Sequence, residues 1–337
     1  MSRRPVTGPR PVAVGADVTG DRLVRPPRLR AGSRVALVAP AGPLLERDDL
    51  ARAVELCIAL GFEPALGPHA GARHGYLAGS DDARLADLDA ALRDPAVDAI
   101  WCLRGGYGTT RILPRVDLDA LRRQPKAVIG YSDVTSLVNA IPLRAGVVAF
   151  HAPMAREPLS AFSRRHLERV LGAPEPAGVL ERPAAPADAL APRQGRIVTL
   201  RGGVAEGPLV GGNLSLLQCL IGTPFFPALD GALLFLEDVH EDLYRVDRML
   251  AHLRMAGALD RIAGAVIGRF TDMNRATGDG ALGFDEVLDT YFGPPGVPVA
   301  YGFPVGHIED QWTLPIGVRA RLDAGAGTLA LLDPAVS

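Results

Sequence analysis

Between residues 34 and 150 the chain repeats one pattern, a short apolar run followed by a loop and a helical stretch. No other feature restricts the fold as much. The runs at 35–39, 99–103, 127–129 and 147–150, with a shorter one near 63–66, have strand length and read as buried strands. Between them, Leu50, Val54, Cys57 and Ile58 mark one helical face that stops at Gly61. Leu85, Leu88 and Leu92 mark a second, opened by Ser80-Asp81-Asp82 with acidic residues where the helix dipole favours them. A third helical stretch ends near Arg123, and Val134, Leu137, Val138 and Ile141 mark a fourth helix. Strands alternating with helices at this spacing predict an α/β fold, a doubly wound, mostly parallel sheet covered on both faces. Ligands of such sheets collect at the carboxyl ends of the strands.

A chain of 337 residues exceeds one ordinary core, so two domains are expected. Residues 1–30, rich in Pro, Arg and Gly, read as a flexible arm, and residues 31–155 as the N-terminal α/β domain. Residues 156–195, dense in Ala and Pro from 172 onward, read as a linker or variable segment. Residues 196–333 read as a second, smaller α+β domain. It has strands near 233–236, 265–267, 318–322 and 329–332, and helices after Asn213 and through Leu243, Val246, Leu250 and Leu253.

The net charge of -2 gives no electrostatic case for nucleic acid or an anionic membrane. No apolar run reaches the roughly 18 residues of a membrane span, and no signal-peptide core is visible, so a cytoplasmic protein is expected. Cys57, Cys102 and Cys219 are far apart in apolar elements and read as buried thiols. There is no metal-ligand spacing, and no cofactor is expected.

Chemistry concentrates where strands end. Gly130-Tyr131-Ser132-Asp133 joins a strand to a helix, where a serine hydroxyl can project as a nucleophile and the next N–H can face the oxyanion. The alternative is that Ser132 only caps the helix. Arg104-Gly105-Gly106-Tyr107-Gly108 ends another strand; its exposed N–H groups suit a phosphate or an oxyanion. Of the seven histidines, His74 and His166 read as solvated, and His240 and His252 as flanking a helix whose own packing explains them. His151 is a candidate site neighbour and His307, after a glycine, a candidate base. Glu237 and Asp238 both terminate an apolar strand, and spacing does not choose between them.

Taken together and in order, these pieces resemble the LD-carboxypeptidases, serine peptidases of the S66 type. The matching residues are Pro27–Gly32 with Ala39–Pro43, Arg104–Gly108, Gly130–Thr135, Gly211-Gly212-Asn213-Leu214, Phe235–Asp238, and Gly306-His307 with Leu314–Gly317. The resemblance implies a triad of Ser132, Glu237 and His307 shared between two domains. The expected oxyanion donors are the N–H groups of Asp133 and Gly106, with Arg104 and Asn213 as substrate contacts or as residues holding their loops. It further implies cleavage between an L-centre and a terminal D-amino acid, as in murein tetrapeptides during peptidoglycan recycling, by a homodimer.

Two other readings stay open. One is the microcin-immunity branch of the same family, which hydrolyses aminoacyl-nucleotides and would need an aromatic platform. Residues 156–195 offer only Phe162, although Trp312 follows His307 closely. The other is a non-catalytic small-molecule binding protein.

Overall fold

The computed structural model describes residues 23–184, 195–274 and 282–337. Its first half runs β1 (Arg34–Val38), α1 (Asp49–Ala59), β2 (Glu63–Leu66), α2 (Asp81–Arg93), β3 (Ala99–Cys102) and α3 (Thr109–Ile112). It continues through α4 (Leu118–Arg123), β4 (Ala127–Ile129), α5 (Thr135–Ala145), β5 (Ala149–His151) and α6 (Ala161–Gly172). The second half runs β6 (Gly178–Val179), β7 (Val198–Arg201), β8 (Val204–Asn213), α7 (Leu214–Leu220), β9 (Leu233–Val239), α8 (Leu243–Met255) and β10 (Gly264–Thr271). It closes with α9 (Phe284–Phe292), β11 (Val299–Tyr301), β12 (Leu314–Ile316), β13 (Arg319–Asp323) and β14 (Thr328–Leu331).

The first sheet has the order β12-β5-β4-β3-β1-β2 and is parallel except at its edge, where β12 runs antiparallel to β5. The doubly wound architecture follows from strands whose both faces are apolar: β1, β3, β4 and β5 are buried almost throughout. The second sheet, β6-β14-β13-β8-β9-β10-β11-β7, is mixed. Its centre, β8 to β11, is parallel and its flanks are antiparallel.

The second sheet is also what joins the halves. Along β9, Leu233 and Phe235 pack into the core of the first half, whereas Leu234 and Leu236 pack with α7, α8 and α9 residues such as Leu217, Leu250 and Leu288. That is strand alternation, one face for each neighbour. The helix α5 lies at the join, and Thr135 through Pro142 are all buried. Its Asn139 donates to the Gly211 carbonyl at 2.8 Å and accepts the Gly211 N–H at 3.2 Å.

Part of the arm expected over residues 1–30 is tied down. Val24 bonds Gly146 and Val148, Leu29 donates to Leu171, and Arg28 and Pro26 bond Ser337. The earlier residues lie outside the described ones. The variable segment expected over 156–195 holds α6, capped by Ser160 onto Ser163 N–H, and β6; residues 185–194 lie outside the described ones. Among the described residues no helix is long and apolar enough to cross a membrane.

Candidate active site

The nucleophile turn is built by β4 and α5. Gly130 follows β4 where a Cβ would lie 3.0 Å from Val134 and 3.2 Å from Cys102, so a larger residue would push the turn off the sheet. Ser132 opens a single 3-10 turn ahead of α5, with φ 57°. A non-glycine residue in this left-handed region is uncommon, and the surrounding packing has to hold it there. Ser132 is not the cap: Tyr131 precedes the 3-10 turn and Val134 is the cap of α5, neither with a side-chain capping bond. The Ser132 hydroxyl oxygen instead lies 3.0 Å from Nε2 of His307.

The acid follows from strand alternation. Glu237 shares the face of Leu233 and Phe235 and looks toward the first half; Asp238 shares the opposite face. Glu237 is fully buried, and its Oε2 lies 2.8 Å from Nδ1 of His307. Asp238 instead accepts bonds from Asn213 Nδ2 at 2.8 Å and from the Ser215 N–H and hydroxyl at 3.0 and 2.8 Å. His307 reaches Glu237 because Gly306, at φ 123°, precedes it. A Cβ there would sit 2.9 Å from Glu237 Oε2 and 3.0 Å from the Arg269 carbonyl.

Burial disfavours the charged imidazole, but the hydrogen bond and charge of Glu237, with Glu157 and Asp238 behind, hold the His307 pKa above its usual value. With Nδ1–H donated to the carboxylate, the Nε2 lone pair is left for the Ser132 proton. Ser132, His307 and Glu237 therefore form one continuous hydrogen-bonded chain across the two halves.

The glycine loop after β3 lies against this turn. A Cβ at Gly105 would stand 2.8 Å from the Ser132 oxygen and 3.4 Å from the Asp133 nitrogen, so its absence keeps that space open. The loop is pinned by the buried Asp133 carboxylate, which accepts the Thr109 N–H at 2.8 Å. Burial raises the Asp133 pKa, and the bonds from Thr109 and Gly108 oppose that shift. Gly106, at φ 106°, sits exposed at the top of the loop.

Arg104 is half-buried at the loop's start and donates to the Pro43 carbonyl at 2.8 Å. Asn213 is buried: it caps α7 by accepting the Leu216 N–H at 3.2 Å and donates to Asp238. These are loop-holding bonds, the alternative the residue type allowed. His151 lies beneath the site without contacting Ser132. It is fully buried between Tyr131 and Phe235, and burial, with the His307 charge, pushes its pKa down to about 3. His166, expected in solvent, is buried against Phe162 at 4.5 Å, because α6 packs that face inward. Cys219, expected buried, is exposed on the outer side of α7; Cys57 and Cys102 are buried. Trp312 is fully buried and donates its Nε1 hydrogen to the Glu181 carbonyl at 2.6 Å, so it presents no stacking face.

Two neighbours had no separate signal in the sequence. The Tyr131 ring lies beside His307, and its hydroxyl donates to Glu157 at 3.1 and 3.2 Å. Tyr131 could have been found from its place before Ser132; Glu157 has no motif around it. A hydroxyl, an imidazole and a carboxylate so linked can deprotonate the hydroxyl as it attacks a carbonyl. Among the described residues no group of three His, Cys, Asp or Glu side chains could hold a metal ion.

The chain is similar to known proteins along most of its length. Residues 35–152 match the model of the LD-carboxypeptidase N-terminal domain and residues 206–322 that of its C-terminal domain. The chain is 37% identical over 321 residues to a probable murein peptide carboxypeptidase of Bacillus subtilis, covering 93% of this chain and 95% of that one. A muramoyltetrapeptide carboxypeptidase of Oxalobacter formigenes superposes with a TM-score of 0.75 at 32% identity, covering 89% of this chain and 98% of the other. MccF in complex with glutamyl sulfamoyl guanosine superposes with a TM-score of 0.83 over 93% of this chain and all of that one; at 23% identity this likeness is one of fold.

Proposed function

This chain belongs to the LD-carboxypeptidase family of serine peptidases and is a serine carboxypeptidase, and from that premise we propose how it acts and on what. Its substrate is a murein tetrapeptide, and the bond broken joins an L-centred diamino acid to the terminal D-alanine. The observation that supports this reading is the bonded chain from Ser132 through His307 to Glu237. His307 takes the proton as the Ser132 hydroxyl attacks the amide carbonyl, and the imidazolium then protonates the leaving amine. Glu237 fixes the tautomer and balances the imidazolium charge.

The developing oxyanion is held by the N–H group of Asp133, whose nitrogen borders the space left by Gly105, and by that of Gly106 on the same loop as Gly105. Water, deprotonated by His307, releases the acyl group and restores the serine. The biological setting proposed is cytoplasmic peptidoglycan recycling by a homodimer, on the strength of the family resemblance.

The fold shared with MccF supports a second reading, hydrolysis of an aminoacyl-nucleotide amide. The buried state of Trp312 and of Phe162 speaks for the peptide. Mass spectrometry of a murein tetrapeptide and of an aminoacyl sulfamoyl adenylate, each incubated with wild type and with Ser132→Ala, decides. Loss of D-alanine by wild type alone is expected. Cleavage of the adenylate alone overturns the peptide reading, and D-alanine release by both proteins overturns Ser132.

A further inference from the structure

Beside Gly106, the loops following β1, β2 and β3 border an open cleft of about 570 Å³ lined by Pro43, Arg73, Tyr76, Arg104, Gly106 and Tyr107. These three strands are neighbours in the sheet, and their carboxyl ends open on the same side as Ser132. The cleft has two properties that the hydrolytic machinery does not use.

The first is an unbalanced positive charge. Arg104 spends Nη1 on the Pro43 carbonyl, and the charges of Arg156 and Arg73 both act on it. Arg73 is exposed and has no hydrogen bond or ion pair among the described residues. The acidic group acting on Arg104 is Asp49, and it is already committed. Asp49 is fully buried, accepts the Leu45 and Glu46 N–H groups at 2.8 and 3.0 Å, and pairs with Arg52. Arg156 reaches the same carboxylate only at 3.8 Å, and its Nε is buried without a partner. Arg52, Arg104 and Arg156 thus draw on the one occupied Asp49 carboxylate, and Arg73 adds a further positive charge beside Arg104.

The second property is an exposed aromatic wall. Tyr76 and Tyr107 meet edge to face with centroids 5.7 Å apart, yet remain 68% and 47% exposed. A wall of this kind suits the aliphatic carbons next to a charged group, while guanidinium groups suit the planar fork of a carboxylate.

We propose that this cleft is a carboxylate subsite, with Arg73 and Arg104 receiving an anionic group of the substrate and the Tyr76–Tyr107 pair packing against the carbon that bears it. The proposal rests on the peptidase reading and extends it to the rest of the substrate. The carboxylate has two sources, the terminus of the departing residue or a carboxylate on the acyl portion.

Binding is measured apart from turnover, by calorimetry on full-length Ser132→Ala protein. The probes are a murein tetrapeptide as free acid, its C-terminal amide, and a form amidated at its internal carboxylates. One amide is expected to bind about tenfold more weakly than the free acid, and which one it is names the source. Arg73→Gln, a side chain with no bond to lose, should weaken the free acid about tenfold and leave that amide unchanged. Equal affinity for all three probes, equal weakening of all three by Arg73→Gln, or no binding at all overturns the subsite. Binding of the expected pattern without hydrolysis by wild type would leave the subsite standing and remove the peptidase reading. Hydrolysis with binding indifferent to amidation would do the reverse.

Discussion

The ring of Tyr131 lies 4.8 Å, centroid to centroid, from the ring of His307, while its hydroxyl is anchored on Glu157. One side chain therefore steadies the imidazole and, through its own backbone, the serine that follows it. Glu157 adds a second negative charge facing His307. Glu157→Gln keeps an acceptor for Tyr131 and removes that charge. Because His307 must be neutral to act as a base, activity rises with pH through its pKa, which the acids hold above 6.5. The acid limb of kcat/KM should move to lower pH in Glu157→Gln, and further in Glu237→Gln along with a large loss of kcat. A pH–rate profile for each variant checks this.

Gly105 is needed for the space it leaves. In Gly105→Ala the new methyl would stand 2.8 Å from the Ser132 oxygen. We expect kcat to fall by about 10²-fold or more, equivalent to losing about 3 kcal/mol of oxyanion stabilisation. Overpacking should cost about 1–3 kcal/mol of stability, leaving the protein folded. Gly202→Ala is the control, since nothing lies within 4 Å of its Cβ. Steady-state kinetics and thermal melts on both variants separate the effects.

Asn139 joins the halves with a reciprocal pair of bonds to Gly211, and Thr135 on the same helix accepts the Asn213 N–H at 3.1 Å. Asn139→Ala leaves a buried N–H and a buried carbonyl without partners, a loss of about 2–4 kcal/mol. Denaturant unfolding should show that loss. If the registration of the halves positions the base, kcat should fall with KM little changed; an unchanged kcat would confine Asn139 to stability.

His151 predicts how stability depends on pH. It stays neutral in the folded protein down to about pH 3, whereas an unfolded histidine takes up a proton near 6.5. The unfolded state thus binds more protons between these values, so stability falls on acidification by up to about 1.4 kcal/mol per pH unit. His307 does not offset this: its raised pKa contributes stability fully present below 6.5 and lost only above it. His166, lowered to about 4, shares the window. His151→Phe should flatten the urea-midpoint slope between pH 7 and 5 while leaving the part due to His166.

The parallel part of the first sheet was legible because β1, β3, β4 and β5 announce themselves, apolar on both faces; its antiparallel edge strand β12 was not foreseen. β8 was not legible. Gly207, Gly211 and Gly212 break the apolar pattern, yet they are there because neighbouring backbone comes too close for a side chain. A Cβ at Gly207 would fall 2.0 Å from the Gly231 carbonyl oxygen, and one at Gly211 1.9 Å from that of Phe235. α6 was hidden in a segment defined by its Ala and Pro content, although Ser160 is an ordinary cap. Glu237 and Asp238 looked equivalent because only their spacing was weighed; the period of two along β9 separates them. Glu157 could not be found, because its partner Tyr131 lies 26 residues away with no pattern linking them.

After the loop that carries His307, the chain does not stay with its own sheet. The three residues of β12 complete the edge of the other sheet, pairing Leu314 with His151 and Ile316 with Ala149, before β13 returns. Exchange of whole C-terminal halves between relatives would therefore transplant an edge strand together with the acid and the base. Whether such a chimera assembles depends on the fit of Leu314–Ile316 against a foreign Ala149–His151, a seam that substrate preference does not select.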